Sequence, residues 1–155
     1  AQREWAAPAG GRAPLKGTFT LTRRTDPGTT DRLSGAELRV WLDWLGLDGA
    51  EAAKVLGVRH DTVRRWVTER EPIPVRIGDE LQAIEEATAL AVGSLVDALK
   101  DMRDPGVLIY RTDADMWAER PEIKPYPARW WRMVVARASV EIPGVEIAYA
   151  GATVR

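Results

Sequence analysis

The side chains best equipped for chemistry sit together in "GVRHDTVRRW", residues 57–66, which holds the only histidine of the chain with three arginines, one Asp and one Thr. Guanidinium, imidazole and hydroxyl donors beside a carboxylate suit contacts to phosphates and base edges. The same residues also describe an amphipathic helix with a solvated outer face, so residue types alone leave both readings open. Elsewhere the chemistry is sparse. With no cysteine, disulfides, thiolate zinc sites and cysteine nucleophiles are excluded. A single histidine is too few for an imidazole metal site, and any Ser/His/Asp chemistry would fall on His60 alone. Asp113 and Asp115 could pass for paired acids, but Asp113 stands where a helix N-cap is expected after a strand. Trp130 and Trp131 could stack on bases. Neighbours on a helix point about 100° apart, so core or dimer packing is the expectation for them. No catalytic residue, metal or cofactor is expected.

The 155 residues, 45% of them apolar, have room for one ordinary domain or two small ones. Net charge is -1 and the isoelectric point about 6.0, so no global positive field is available and any nucleic-acid surface must be a local patch. No long apolar run occurs and the N-terminus lacks a signal peptide's apolar stretch, which predicts an intracellular, soluble, cytoplasmic protein without a membrane partner.

Several elements must position the 57–66 segment. Residues 1–32 read as an arm, with "GTFTLTRR" alternating like a short strand and Arg23 and Arg24 candidates for a minor groove. An expression remnant, or an arm strand donated to a neighbour, is an equal reading. "SGAE" (34–37) and "DGAE" (48–51) are capping boxes that mark two helix starts. The first helix shows Leu38, Trp41, Leu42 and Leu45 on one face and ends at Gly46; the second runs from Gly49 to Leu56 with Ala52, Ala53 and Leu56 inward, and stops at Gly57. A third helix spans about 60–68. "EREPIP" breaks it, and a long helix follows over about 75–102, with Ile77, Leu81, Ile84, Ala91, Leu95 and Met102 on a seam that seeks a helix or partner subunit. After "DPG" come a strand candidate at 107–111, a short helix at 113–120, a helix at 128–139 and a strand candidate at 145–150.

Two short helices joined by a Gly-containing turn, the second rich in cations, have the dimensions of a helix-turn-helix. Ala53 must be small where the helices cross, Gly57 supplies the positive-φ turn, Val58 and Val63 plug the joint and Trp66 anchors the far end. With Val63 and Trp66 inward, Arg59, His60, Asp61, Arg64 and Arg65 turn outward. Arg59, Arg64, Arg65 and Arg70 against Asp61 and Glu69 leave a local excess of two positive charges.

"LGLDGAEAAKVLGVRHDTVRRWVTEREPIP" resembles the Xre/Cro-type helix-turn-helix of phage and bacterial repressors, over about residues 33–85. The layout beyond it, a long helix, "LIYR" and a late "WR" helix, is similar to the anti-CRISPR-associated autorepressors and their YdiL-like relatives. The resemblance implies that base readers fall on His60, Asp61 and Arg65, with Arg59 and Arg64 nearer the phosphates and Thr62 able to donate to either. It makes Arg65 the candidate for a bidentate contact to guanine. Asp61 would accept from cytosine N4 or orient a neighbouring Arg, and Arg70 joins the cationic set. Where the family often has Gln this chain has Gly49, whose backbone N–H can still hold a phosphate. Where it often has Ser or Thr, this chain has Arg59.

The expectation is therefore a mainly α fold: an arm (1–32), a helix-turn-helix DNA-binding domain with a long connecting helix (33–103) and a small C-terminal α/β dimerisation unit (104–155). The expected function is sequence-specific, autoregulatory transcriptional repression by a homodimer on an inverted-repeat operator in double-stranded DNA, in a phage or mobile element of a high-GC host. The alternatives are the antitoxin of a toxin–antitoxin pair, and a module that binds RNA or a host protein.

Overall fold

A computed structural model describes residues 32–151. The arm expectations, including the strand around residues 17–24 and the Arg23-Arg24 pair, lie outside the described residues.

The fold is mainly helical with a small parallel sheet near the C-terminal end. Helix α1 (Gly35–Leu45) starts on Ser34. Its Oγ accepts from the Glu37 N–H at 3.1 Å while Glu37 Oε2 accepts from the Ser34 N–H at 2.8 Å. Helix α2 (Gly49–Leu56) repeats this with Asp48 and Glu51, both bonds 2.8 Å. Each helix stops at a left-handed glycine, Gly46 with φ 67° and Gly57 with φ 66°, a conformation that costs a residue with a Cβ. Helix α3 (His60–Val67) packs on both α1 and α2. The core of this part is Leu38, Trp41, Leu42, Leu45, Ala52, Ala53, Leu56, Val63 and Trp66, all buried at the positions the helical period selects.

Helix α4 (Val75–Lys100) follows Pro74, whose carbonyl accepts from the Ile77 N–H. It ends before Met102, two residues short of the sequence expectation. The chain packs as two compact units whose division falls inside this helix, between Ala87 and Thr88. Ile77, Leu81 and Ile84 are buried in the first unit. In the second, Thr88, Val92, Leu95, Val96 and Leu99 are buried, while Ala91 of the expected seam is only half-buried. The seam broadens because Val92, Val96 and Leu99 lie beside it, giving a wide apolar face where the sequence suggested a narrow one.

In the second unit, strand β1 (Gly106–Ile109) pairs in parallel with β2 (Glu146–Tyr149) in the register Val107 to Ile147 and Ile109 to Tyr149. Parallel strands require a crossover. It is built of α5 (Asp113–Glu119), a 3-10 turn (Pro121–Ile123) and α6 (Ala128–Ser139). Thr112, not Asp113, caps α5: its Oγ1 accepts from the Asp115 N–H at 3.1 Å. Asp113 instead accepts from the Ala128 N–H at 2.8 Å, across 15 residues, and so caps α6, whose own preceding residue, Pro127, has no side-chain acceptor. Trp130 and Trp131 are both buried in this unit. Trp130 Nε1 donates to Thr88 Oγ1 at 3.0 Å and Trp131 Nε1 to the Leu108 carbonyl at 2.8 Å, so each indole N–H is satisfied inside the core.

Among the described residues no helix is long and apolar enough to cross a membrane.

Candidate nucleic-acid interface

The joint between α2 and α3 is made by small and apolar residues. Gly57 reverses the chain, and the Val58 N–H donates back to the Ala53 carbonyl at 2.9 Å, closing the turn over the last turn of α2. Arg59 takes the extended N-cap conformation of α3, with φ -78° and ψ 145°, and its carbonyl accepts from the Thr62 and Val63 N–H groups. Its side chain makes no capping bond. The α3 N-terminus therefore keeps its first N–H groups, at His60 and Asp61, and the positive end of its dipole unblocked by a side-chain cap.

Burial of Val63 and Trp66 fixes the rotation of α3, and Arg59, His60, Asp61, Arg64 and Arg65 are all exposed, with Thr62 half-buried. Asp61 lies between two arginines: Oδ1 accepts from Arg64 Nη2 at 3.0 Å and Oδ2 from Arg65 Nη1 at 2.9 Å. Its observed geometry is the orienting one of the two roles open to it in the sequence. Arg65 has a second partner, Glu71, whose Oε2 accepts from Nε at 2.9 Å. Arg59 and Arg70 are exposed and form no ion pair among the described residues. His60 meets Gly49: a Cβ on that glycine would lie 3.2 Å from His60 Nε2, so the imidazole stands over the α2 N-terminus. The capping box puts the Asp48 and Glu51 carboxylates at the same terminus, which opposes a phosphate there unless a cation or hydrogen-bond donor such as His60 also reaches it.

Glu71 is the residue that sequence reasoning passed over. It is not on α3; the loop after α3 carries it back. Thr68 ends the helix with Oγ1 donating to the Arg64 carbonyl at 2.8 Å. Glu69 then adopts φ 59°, a left-handed conformation uncommon without glycine. The Arg70 N–H donates to the Arg65 carbonyl at 2.9 Å. Glu69 is held from the far side, because its Oε1 accepts from the Gly35 N–H at 3.2 Å. Gly35 is packed so closely that a Cβ would lie 2.5 Å from the Val67 carbonyl oxygen and 2.7 Å from that of Trp66. The local charge also changes: counting Glu71, four arginines face three carboxylates, and the excess falls from two to one. A signal was present, since a glutamate six residues after an arginine across a helix end can fold back, but its direction depends on the left-handed turn at Glu69.

Among the described residues no group of three or more His, Cys, Asp or Glu side chains is arranged to hold a metal ion.

No known family model matches this chain. It is similar to the transcriptional repressor protein KorC of Escherichia coli, with 52% identity over 44 residues. That match covers 26% of this chain, and the chain spans about half, 52%, of the length of that curated relative.

Proposed function

We propose that this chain is a sequence-specific DNA-binding transcriptional repressor that inserts α3 into the major groove. The carrying observation is the α2–Gly57–α3 joint, in which buried Ala53, Val63 and Trp66 turn His60, Asp61, Arg64 and Arg65 outward together. The partial match to the repressor KorC supports the same reading. In this proposal Arg65 reads guanine, and Arg59, Arg64 and Arg70 meet phosphates. His60, Thr62 and the Gly49 N–H complete the contact, and Asp61 orients the arginines. The layout fits an Xre/Cro-type repressor of a phage or mobile element, acting as a homodimer on an inverted repeat and controlling its own promoter. Occupying a promoter is enough for repression, so no catalytic step, cofactor or metal is required.

Selection of bound sequences from a pool of random duplexes tests this proposal. A symmetric enriched site supports both sequence reading and a dimer; no enrichment, or tighter binding to RNA of the same sequence, refutes it.

A second reading keeps the DNA contact and adds a protein partner, as in an antitoxin. Val140, Ile147 and Tyr149 favour it: all three are exposed on the second unit, at 83%, 46% and 38%, on the end of α6 and on β2. The repressor reading gives the C-terminal unit that carries them to the second copy. Light scattering on the full chain and on a Val140→Glu, Ile147→Lys double variant separates the two. A dimer that becomes a monomer assigns the surface to self-association, and a dimer that persists frees it for another partner.

A further inference from the structure

Among the described residues, Arg65 is the arginine of this face with two acidic partners. Its guanidinium has five N–H donors. Nε is committed to Glu71 and one Nη1 hydrogen to Asp61, both at 2.9 Å, which leaves three donors outside these two bonds: the second Nη1 hydrogen and both hydrogens of Nη2. The two acids approach from different directions, Asp61 from one turn earlier on α3 and Glu71 from the loop beyond its end. One carboxylate would leave the long side chain free to swing about that contact, whereas two carboxylates on different nitrogens fix the plane of the group.

We infer that Glu71 is a positioning residue that sets the specificity of this interface: with Asp61 it holds Arg65 so that the free end of the guanidinium meets the paired acceptors of one guanine. This rests on reading α3 as the DNA-contacting helix. Bidentate recognition needs a planar fork in a fixed orientation, and the energy lost in ordering a free arginine would otherwise be drawn from the base contact. The anchoring runs back into the fold. Glu71 is presented by the left-handed turn at Glu69, and Glu69 is bound to the Gly35 N–H at the start of α1. The position of a reading side chain on α3 is thus set by the first residue of α1.

The clamp also discriminates against loose binding. An unpaired arginine on this face would reach any nearby phosphate, adding affinity without sequence information. Two carboxylates beside Arg65 lower its appeal to phosphate, while both hydrogens of Nη2 stay available to base acceptors.

The test has one measurement without DNA and one with it. In the free full-length chain, proton exchange at Arg65 Nε is followed by nitrogen-15 NMR for the unmodified protein and for Glu71→Gln. Faster exchange in the variant is expected, and equal rates overturn the clamp whatever the protein binds. The unmodified chain, Glu71→Gln and Glu71→Asp are then compared on the duplex that the unmodified chain enriches from a random pool and on versions with each guanine replaced in turn. Glu71→Gln is expected to bind all duplexes somewhat more tightly, since a negative charge is gone, while the penalty for replacing one guanine per half-site shrinks about two- to fivefold, the range an exposed ion pair supplies. Glu71→Asp restores part of that penalty. Melting temperature changes little, because Glu71 gives up only a half-exposed ion pair, and the salt slope steepens if the freed Arg65 reaches a phosphate. Full discrimination retained at every guanine by Glu71→Gln overturns the inference and leaves the DNA reading standing. If the unmodified chain enriches no sequence, the DNA reading itself fails.

Discussion

Arg65 and Trp66 are neighbours in sequence with opposite assignments, so truncating each to alanine tests the orientation of α3 directly. Trp66 is 3% exposed and Arg65 46% at its side chain. Trp66→Ala removes a buried indole from the core of the first unit, at a cost of roughly 3 to 5 kcal/mol for transfer and cavity together. A small domain has about 5 to 15 kcal/mol in total, and each kcal/mol moves the Tm of a domain of this size by about 4 to 8 °C. The first unit should therefore melt at least about 12 °C lower, or lose its cooperative transition. Arg65→Ala gives up two half-exposed ion pairs, each worth under about 1 kcal/mol, so stability should hardly change. Its effect should appear in binding as a loss of about 1 to 3 kcal/mol of discrimination at one base pair, roughly five- to 150-fold. Circular dichroism melts and gel-shift titrations on matched and single-substituted duplexes measure the two. If Arg65→Ala destabilises as much as Trp66→Ala, the faces are misassigned. If Arg65→Ala binds with unchanged affinity and specificity, α3 is not the reader.

Gly35→Ala and Gly57→Ala should both destabilise the first unit, for different reasons. At Gly35 the new Cβ meets backbone oxygens, with a cost of about 1 to 3 kcal/mol or more, whereas at Gly57 there is open space and only the left-handed φ is penalised, at about 1 to 2 kcal/mol. Urea midpoints that place Gly57→Ala as the more damaging would refute that ordering. In the second unit, burial first and then the Glu119 hydrogen bond raise the Tyr110 pKa, and burial raises that of Tyr126. A raised folded-state pKa means that the stabilisation is fully present below about pH 10, the ordinary tyrosine value. It fades as pH rises above that, because the unfolded chain ionises first. Tyr110→Phe and Tyr126→Phe should flatten this alkaline loss in pH-dependent melts, and unchanged steepness in both would refute it. Asp113→Ala should cost about 0.5 to 2 kcal/mol as a lost α6 cap, against about 0.5 kcal/mol or less for the exposed Asp115→Ala; equal urea midpoints would show that Asp113 caps nothing.

The helices were legible in the sequence because local chemistry and long-range packing agree in them. Both capping boxes form as their spacing requires, both terminal glycines are left-handed, and α2 occupies the range read from "DGAE" and Gly57. The second strand lies within the stretch expected of it, and β1 starts one residue early, at Gly106, and ends at Ile109; nothing in "VLIYR" or "VEIAYA" says that the pairing is parallel, which follows from the intervening crossover. Asp113 shows what local pattern misses. Thr112 is as good an N-cap, one residue earlier, and Asp113 is then free to satisfy Ala128, a partner that only the fold brings near. The division inside α4 was illegible for a related reason: its apolar residues continue without a break from Ile77 to Leu99, and sequence periodicity does not report which neighbours cover them.

Charge on the outer face of α3 matters less by amount than by arrangement. Four arginines against three carboxylates, in a chain of net charge -1, provide almost no field with which to gather DNA. A protein that relied on non-specific attraction would be poorly served by Asp61 and Glu71, since each removes part of what a phosphate would otherwise use. Under the repressor reading, the acids make sense as the component that converts a weakly basic surface into a selective one. Arg59 and Arg70, which have no acidic partner among the described residues, keep their charge for the backbone, and Arg65, which has two, keeps its geometry for a base. Affinity and specificity are then divided between different arginines of the same small face. That division explains how a glutamate beyond the end of the helix can sharpen reading while lowering overall binding strength.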